Sequence, residues 1–190
     1  GDFSSAAFFI LAALIIPNSN LTIKNVGINE TRIALLNAFQ EMGAEIDIIN
    51  KTGEFEPRAD LKVKFSKLKG INLDTKLVPN LIDELPAFFV AAAMSSGSTV
   101  VRNAEELRYK ESDRLEAMGD VLRSFGVDFH MYHDGMDING LDDNMDLSSY
   151  RGGIIESFGD HRIAMSSAIA CSIFDQESVV LNTDNVNTSF

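Results

Sequence analysis

The chain has 190 residues, 45% of them hydrophobic, and a formal net charge of −12 from 16 basic and 28 acidic residues. This apolar content suffices for one sizeable core, whereas the acidic balance argues against nucleic acid, which binds clustered lysine and arginine. The longest apolar run, residues 6–16, is shorter than the roughly 20 residues that cross a bilayer. We therefore expect a protein that binds neither nucleic acid nor membrane.

The chain opens with an apolar stretch rich in small residues, and two more of the same kind follow at nearly equal spacing. They cover residues 4–16, 83–95 and 160–174. Because apolar residues occur on every side of these segments, we expect three helices that are buried on most of their faces. Ser4, Asp83 and Asp160 stand at their starts, and each is a suitable N-cap.

The elements that follow these stretches also recur. A short β-branched strand is predicted after each one, at residues 21–23, 99–101 and 179–181. An amphipathic helix then follows twice, at 31–42 and 111–125, and each helix is closed by a glycine, Gly43 or Gly126. Alternating strands are predicted next, at 45–49 with 61–65 and at 127–132 with 136–138. Residues 51–60 and 140–153 have the composition of surface loops.

A fixed period with one element order indicates a duplicated supersecondary unit. The starts of the apolar stretches lie 79 and 77 residues apart. Such units bury their helices only against one another, so we expect one α+β lobe with units at approximately 1–78, 79–157 and 158–190. The third unit stops after its strand and no strand precedes the first helix, which indicates an internal piece of a longer protein.

Hydroxyl and charged side chains crowd the starts of the predicted helices. The four groups are Ser4-Ser5, Asp83-Glu84, residues 105–114 and Asp160-His161-Arg162. Helix capping alone would explain the first group and one carboxylate of the second, and a solvated, ion-paired face would explain the third equally well. If the repeat brings the starts together, they form a site for a small, multiply anionic substrate that undergoes proton transfer. The sequence has no metal-ligand spacing or nucleotide fingerprint, so we expect neither a metal nor a cofactor.

At these residues the sequence resembles the 5-enolpyruvylshikimate-3-phosphate synthase family. The resemblance rests on the strings GDFSSAAF, DELP, YKESDRL and GDHRIAM, which begin at residues 1, 83, 109 and 159. It implies an inside-out α/β barrel lobe built from repeated βαβαββ units with their helices inside. The family's second lobe would be the N-terminal one, which is missing from this chain.

The resemblance also implies an activity, the transfer of the enolpyruvyl group of phosphoenolpyruvate to the 5-hydroxyl of shikimate 3-phosphate. Phosphate is released, and the step belongs to the shikimate pathway of chorismate and aromatic amino acid biosynthesis. Carried over by motif, Asp83 would accept the hydroxyl proton and Glu111 would be the partner acid or base. Shikimate 3-phosphate would be held by Ser5, Asp83 and Lys110. Phosphoenolpyruvate would be held by Arg114, His161 and Arg162.

The same resemblance implies a cytoplasmic enzyme that is a monomer at full length and whose isolated half is inactive. Two alternatives remain open at this point. The chain could belong to a UDP-N-acetylglucosamine enolpyruvyl transferase, although the string at residues 110–114 favours the shikimate type. It could also be a non-catalytic domain of the same fold, in which case removing the charges of Arg114 and Arg162 would leave ligand affinity unchanged.

Overall fold

The computed structural model describes residues 1–140 and 152–189. The helices are α1 Phe3–Ile15, α2 Ala34–Glu41, α3 Leu85–Ala93, α4 Arg114–Phe125, α5 His161–Cys171 and α6 Val186–Ser189. The strands are β1 Asn20–Gly27, β2 Ile46–Thr52, β3 Arg58–Lys64, β4 Ser98–Val101, β5 Asp128–Tyr132, β6 Gly135–Asn139, β7 Ile154–Glu156 and β8 Val179–Leu181. Most of the loop predicted at 140–153 lies outside the described residues.

The predicted apolar helices pack against one another in the core. Helices α1, α3 and α5 contact each other pairwise, and all residues of α3 are buried. Helix α5 differs from the expectation, because only one of its sides is buried, through residues such as Ile163 and Ala164. Its main other neighbours within the described ranges are α4, β8 and the short α6, which cover less of it than α1 and α3 do.

Three small sheets surround these helices. The first has the order β1-β3-β2 and the second the order β4-β6-β5, and both are antiparallel. The matching orders confirm that one element pattern is repeated, while the boundaries of the three units stay a prediction. The loop predicted at 51–60 is shorter than expected, because Thr52 of β2 pairs with Arg58 of β3.

The sequence pattern missed the parallel β-pairing that opens each later unit, which is a strand in one case and two isolated bridges in the other. Strand β7 precedes α5 and pairs in parallel with β8. Before α3, Lys69 and Asn72 form isolated parallel bridges to Ser96 and Val100. A strand–helix–strand crossover of this kind directs the start of its buried helix to a defined end of the fold.

Two of the three predicted N-caps are wrong. Helix α1 is capped by Asp2, which accepts a hydrogen bond from the backbone N–H of Ser5 at 2.8 Å, rather than by Ser4. Helix α3 has Glu84 instead of Asp83 at the N-cap position, and the Glu84 side chain makes no capping bond. Asp160 does cap α5, and Gly126 closes α4 with φ of 77° as predicted. The Ser4 hydroxyl and the carboxylates of Asp83 and Glu84 make no capping bond and are therefore available for other contacts.

Within the ranges described, no helix combines the length and the apolar character needed to cross a bilayer.

Replacement of Phe88 by alanine tests the importance of the buried helices. Phe88 is fully buried in α3 and stacks on Phe39 of α2 with ring centroids 6.3 Å apart. We expect Phe88→Ala to lower the free energy of unfolding by about 3–5 kcal/mol, because it leaves a cavity in the core. Urea unfolding of the chain measures this change. The matched control Phe55→Ala, at a side chain that is 92% exposed, should change the free energy of unfolding by less than about 0.5 kcal/mol. Equal effects would contradict this account of the core.

Candidate active site

The prediction that the charged segment at residues 105–114 begins a helix near Glu111 is wrong. The segment starts with a 3-10 turn over Glu105–Tyr109, and α4 begins at Arg114 because Asp113 caps it by accepting a hydrogen bond from the N–H of Glu116 at 3.1 Å. Lys110 and Glu111 therefore lie in an irregular segment before the helix, where their side chains are free to point into the site.

Arg108 fixes this segment on the turn between β5 and β6. Its Nε and Nη2 donate to the carbonyls of His133 and Tyr132 at 2.8 and 3.1 Å, and its Nη1 donates to Asp113 at 2.9 Å. The fourth partner of this planar guanidinium is Glu116 at 3.3 Å, so Arg108 ties the segment around Lys110 both to the β5–β6 turn and to α4.

Asp83 lies among three cations. Its Oδ1 is 3.4 Å from Lys110 Nζ and 3.2 Å from Arg114 Nη1. Burial opposes ionisation of Asp83, but the charges of Arg162, Lys110 and Arg114 outweigh it and lower the pKa of this carboxyl. Lys110 also binds Glu106 at 2.6 Å, and this hydrogen bond, stronger than the opposing effect of burial, raises the pKa of the ammonium. Both groups are therefore charged at neutral pH.

Arg114 and Asp160 form a buried ion pair between the starts of α4 and α5. Arg114 is 2% exposed and Asp160 is fully buried, and the Nε and Nη2 of the arginine donate to the two carboxylate oxygens at 2.8 and 3.4 Å. Ser112 Oγ donates to the same carboxylate at 3.1 Å. Burial alone would raise the pKa of Asp160, but the hydrogen bond and charge of Arg114 outweigh it, so the pKa is lowered. This pair fixes the two helix starts relative to each other.

A second buried carboxylate, Glu84, joins the other helix starts. It accepts a hydrogen bond from Ser4 Oγ at 2.5 Å and one from Arg162 Nη1 at 3.3 Å. Arg162 Nη1 also donates to the backbone carbonyl of Asp83 at 2.8 Å, and Arg32 donates to Ser4 Oγ at 3.1 Å. Sequence reasoning gave no role to Arg32, because nothing separates an arginine before an amphipathic helix from an ordinary surface charge.

The remaining predicted residues lie beside this network. Glu111 Oε2 and His161 Nδ1 are 3.0 Å apart, with His161 largely buried and Glu111 half-exposed. Ser5 is half-buried and lines a small cleft that it shares with His161 and Arg162. Within the described part of the chain, no hydrogen bond joins Ser5 to Lys110 or to Asp83. Apart from Ser5, each predicted site residue thus contacts another predicted member of the cluster.

Glu111, Asp160 and His161 bring three potential metal ligands within 4.8 Å of one another. The carboxylate of Asp160 is already bonded to Arg114, and the Arg114 guanidinium also lies 3.8 Å from Glu111. A cation placed there would face this arginine charge at close range. We therefore assign no metal to the cluster.

Comparison with known proteins gives the family of the chain. Residues 1–190 match the sequence model of EPSP synthase (3-phosphoshikimate 1-carboxyvinyltransferase) over their whole length. The chain belongs to the EPSP synthase family. It is 48% identical over 192 residues to a 3-phosphoshikimate 1-carboxyvinyltransferase of Legionella pneumophila (strain Corby), and 45% identical over 191 residues to one of Citrifermentans bemidjiense. These alignments cover 100% of the chain but only 42% and 43% of the two relatives, so the chain spans less than half of their length.

Solved structures give the same result for the fold. An EPSP synthase from Acinetobacter baumannii superposes with a TM-score of 0.94 at 42% identity, over 100% of this chain and 43% of that one. The enolpyruvyl transferase NikO from Streptomyces tendae superposes with a TM-score of 0.71 at 14% identity, over 98% and 40%, and shows a shared fold alone. The predicted α+β fold of the EPSP synthase family, with repeated units and buried helices, is confirmed.

The variant Arg114→Met tests the buried ion pair of this chain. It leaves the Asp160 charge buried without its partner, so we expect the free energy of unfolding at pH 7 to fall by about 3–5 kcal/mol. In the wild type the pKa of Asp160 is lower in the folded than in the unfolded state. The pair's contribution is therefore complete well above the unfolded pKa near 3.8 and is lost as pH falls through the folded value. The stability difference between variant and wild type should narrow below about pH 4.

Urea unfolding at several pH values measures this difference. The control Arg123→Met removes an arginine from an exposed ion pair with Asp120 and should change the free energy of unfolding by less than about 1 kcal/mol. A difference for Arg114→Met that stays constant from pH 7 to pH 3 would show that the ionised form of Asp160 is not what the arginine stabilises.

Proposed function

We propose that this chain forms one wall of an active cleft in which the enolpyruvyl group of phosphoenolpyruvate is transferred to the 5-hydroxyl of shikimate 3-phosphate. The observation that carries the proposal is the convergence of Asp83, Lys110, Arg114 and Arg162 at the starts of buried helices in an EPSP synthase fold. The names of the curated relatives give the same reaction class.

The cations suit the two anionic substrates. Arg114 and Arg162 carry planar guanidinium groups, which match the carboxylate and phosphate of phosphoenolpyruvate, and His161 lies beside them. Because Arg114 is 2% exposed, it would bind the substrate in exchange for its contacts with Asp83 and Glu111. Lys110, a compact point charge beside Asp83, suits shikimate 3-phosphate, which Ser5 would also contact. Fixed charges that are in place before the reaction stabilise developing charge without a cost of reorganisation.

Asp83 and Glu111 are the proposed proton-transfer groups. Asp83 is ionised and would accept the proton of the attacking hydroxyl, although its lowered pKa makes it a weak base in the free protein. Substrate anions that bind Lys110 and Arg162 would compensate these charges and raise the pKa of Asp83, so the base gains strength only when the substrates are bound. Glu111, paired with His161, would be the partner acid or base.

These groups support an addition followed by an elimination. A proton is added to the methylene carbon of phosphoenolpyruvate while the hydroxyl oxygen of shikimate 3-phosphate bonds to its neighbouring carbon, which gives a tetrahedral intermediate. Loss of a methyl proton and departure of phosphate then form the enol ether. In the addition, one proton enters the methylene carbon and one leaves the hydroxyl, whereas the elimination removes one proton from the methyl group. Asp83 and Glu111 would accept and return these protons.

The cations of the cluster are largely neutralised by carboxylates of the same chain, which supports the need for a second segment of protein. Each cation of the cluster is already bonded within the chain, Lys110 to Asp83 and Glu106, Arg114 to Asp160, and Arg162 to Glu84. Two multiply charged substrates need further positive charge and a wall that excludes water. We infer that the rest of the enzyme, the N-terminal lobe of the family, supplies both and that this chain alone is inactive. The cytoplasmic location, monomeric state and absence of a cofactor stay predictions.

A hybrid enzyme tests the proposal, with this chain in place of the matching 192 residues of the Legionella pneumophila relative. We expect phosphate release that depends on both phosphoenolpyruvate and shikimate 3-phosphate, whereas the chain alone should show none. Asp83→Asn should lower kcat by about 10²–10⁴-fold, because it removes the proton acceptor but keeps the size of the side chain. A phosphate-release assay measures both effects.

The control Asp47→Asn changes an exposed strand residue and should leave kcat of the hybrid unaltered. Full activity of the Asp83→Asn hybrid would contradict the role of Asp83. Turnover with UDP-N-acetylglucosamine in place of shikimate 3-phosphate would contradict the proposed acceptor.

A further inference from the structure

Glu84 connects the starts of the three helices α1, α3 and α5. The residue itself precedes α3. Its carboxylate accepts one hydrogen bond from the hydroxyl of Ser4 on α1 and a second from Arg162 on α5. Ser4 and Arg162 are 80 and 78 residues away from it in sequence.

Capping does not account for this carboxylate. Glu84 occupies the N-cap position of α3, yet its side chain makes no capping hydrogen bond, and it is only 5% exposed. A buried carboxylate that does not cap its helix is costly unless other donors satisfy it. Ser4 and Arg162 are those donors, so the position favours a carboxylate because of what it binds across the cluster.

The contact determines how Arg162 is oriented. Both hydrogen bonds of its guanidinium within residues 1–140 and 152–189 are made by Nη1, to the carbonyl of Asp83 and to Glu84 Oε1. Since the guanidinium is planar, fixing Nη1 from two directions leaves Nε and Nη2 as an open edge that matches a carboxylate. The charge of Arg162 also acts on the Asp83 carboxylate, which is the competing partner for that edge.

We propose that Glu84 is a positioning residue that holds Arg162 with its open edge directed to an anionic carboxylate ligand and away from Asp83. The identification of this ligand as phosphoenolpyruvate rests on the proposed function, while the positioning itself is a property of the chain. Ser4 assists by filling the second coordination site of the Glu84 oxygen, and Arg32 in turn donates to Ser4.

Glu84→Gln tests this inference in the hybrid enzyme, because the amide keeps the shape of the side chain but removes the charge that holds Arg162. We expect the KM for phosphoenolpyruvate to rise by about tenfold or more, while the KM for shikimate 3-phosphate stays within about twofold. If Glu84 acts through Arg162, the double variant Glu84→Gln/Arg162→Lys should have the same KM for phosphoenolpyruvate as Arg162→Lys alone, within about twofold. The matched control Glu41→Gln, at an exposed carboxylate on α2, should leave both KM values unchanged.

A spectroscopic measurement separates this inference from the proposed function. The side-chain guanidinium resonances of Arg162 in the 190-residue chain need no substrate. We expect a resolved Nη1–H signal in the wild type, because Nη1 donates two hydrogen bonds, and a shifted or exchange-broadened one in Glu84→Gln. An unchanged Arg162 signal, or additive KM effects in the double variant, would overturn the positioning role. A wild-type hybrid without any turnover would instead refute the proposed function, and the Arg162 resonance would still decide the role of Glu84.

Discussion

Hydrogen-bonded pairs of carboxylate and guanidinium groups, buried where helices begin, are the constraint on which this structure depends. Arg114 with Asp160 joins α4 to α5, and Glu84 with Arg162 joins α3 to α5 and, through Ser4, to α1. A buried charge is tolerated only when its partner is held in good geometry, so each pair limits how the helices can shift. The apolar packing of the helices supplies the burial, and the pairs determine their relative positions.

This arrangement explains why the site is ordered and also why it is incomplete. Because the arginines and the lysine are bonded to carboxylates before any ligand arrives, the charges need little reorganisation when one binds. The same bonds leave little uncompensated positive charge for the two anionic substrates proposed above. The chain spans less than half of the length of its relatives, which agrees with the proposal that it forms one wall of a cleft.

Sequence patterns predicted the buried helices, the repeated element order and the convergence of charged helix starts, because these depend on hydrophobic period and spacing. The patterns did not predict which partner a side chain bonds when several partners are within reach. Ser4 and Asp83 were expected to cap helices, but Ser4 instead bonds a carboxylate 80 residues away and Asp83 binds cations. Helix α4 is predicted to begin at Glu111, but it begins at Arg114 because Asp113 caps it. The short parallel pairing before α3 and α5 has too few residues for a period to be recognised. Such choices depend on contacts between distant parts of the chain, which no local pattern contains.

The most direct test of the central claim is a titration of the ¹⁵N-labelled chain with shikimate 3-phosphate, followed by its amide resonances. If the converging helix starts form one wall of the cleft, millimolar ligand should shift amides near Ser5, Asp83, Lys110 and Arg162, and UDP-N-acetylglucosamine should shift none of them. Shifts confined to another surface, or an equal response to both compounds, would contradict the claim that these helix starts form a shikimate 3-phosphate site.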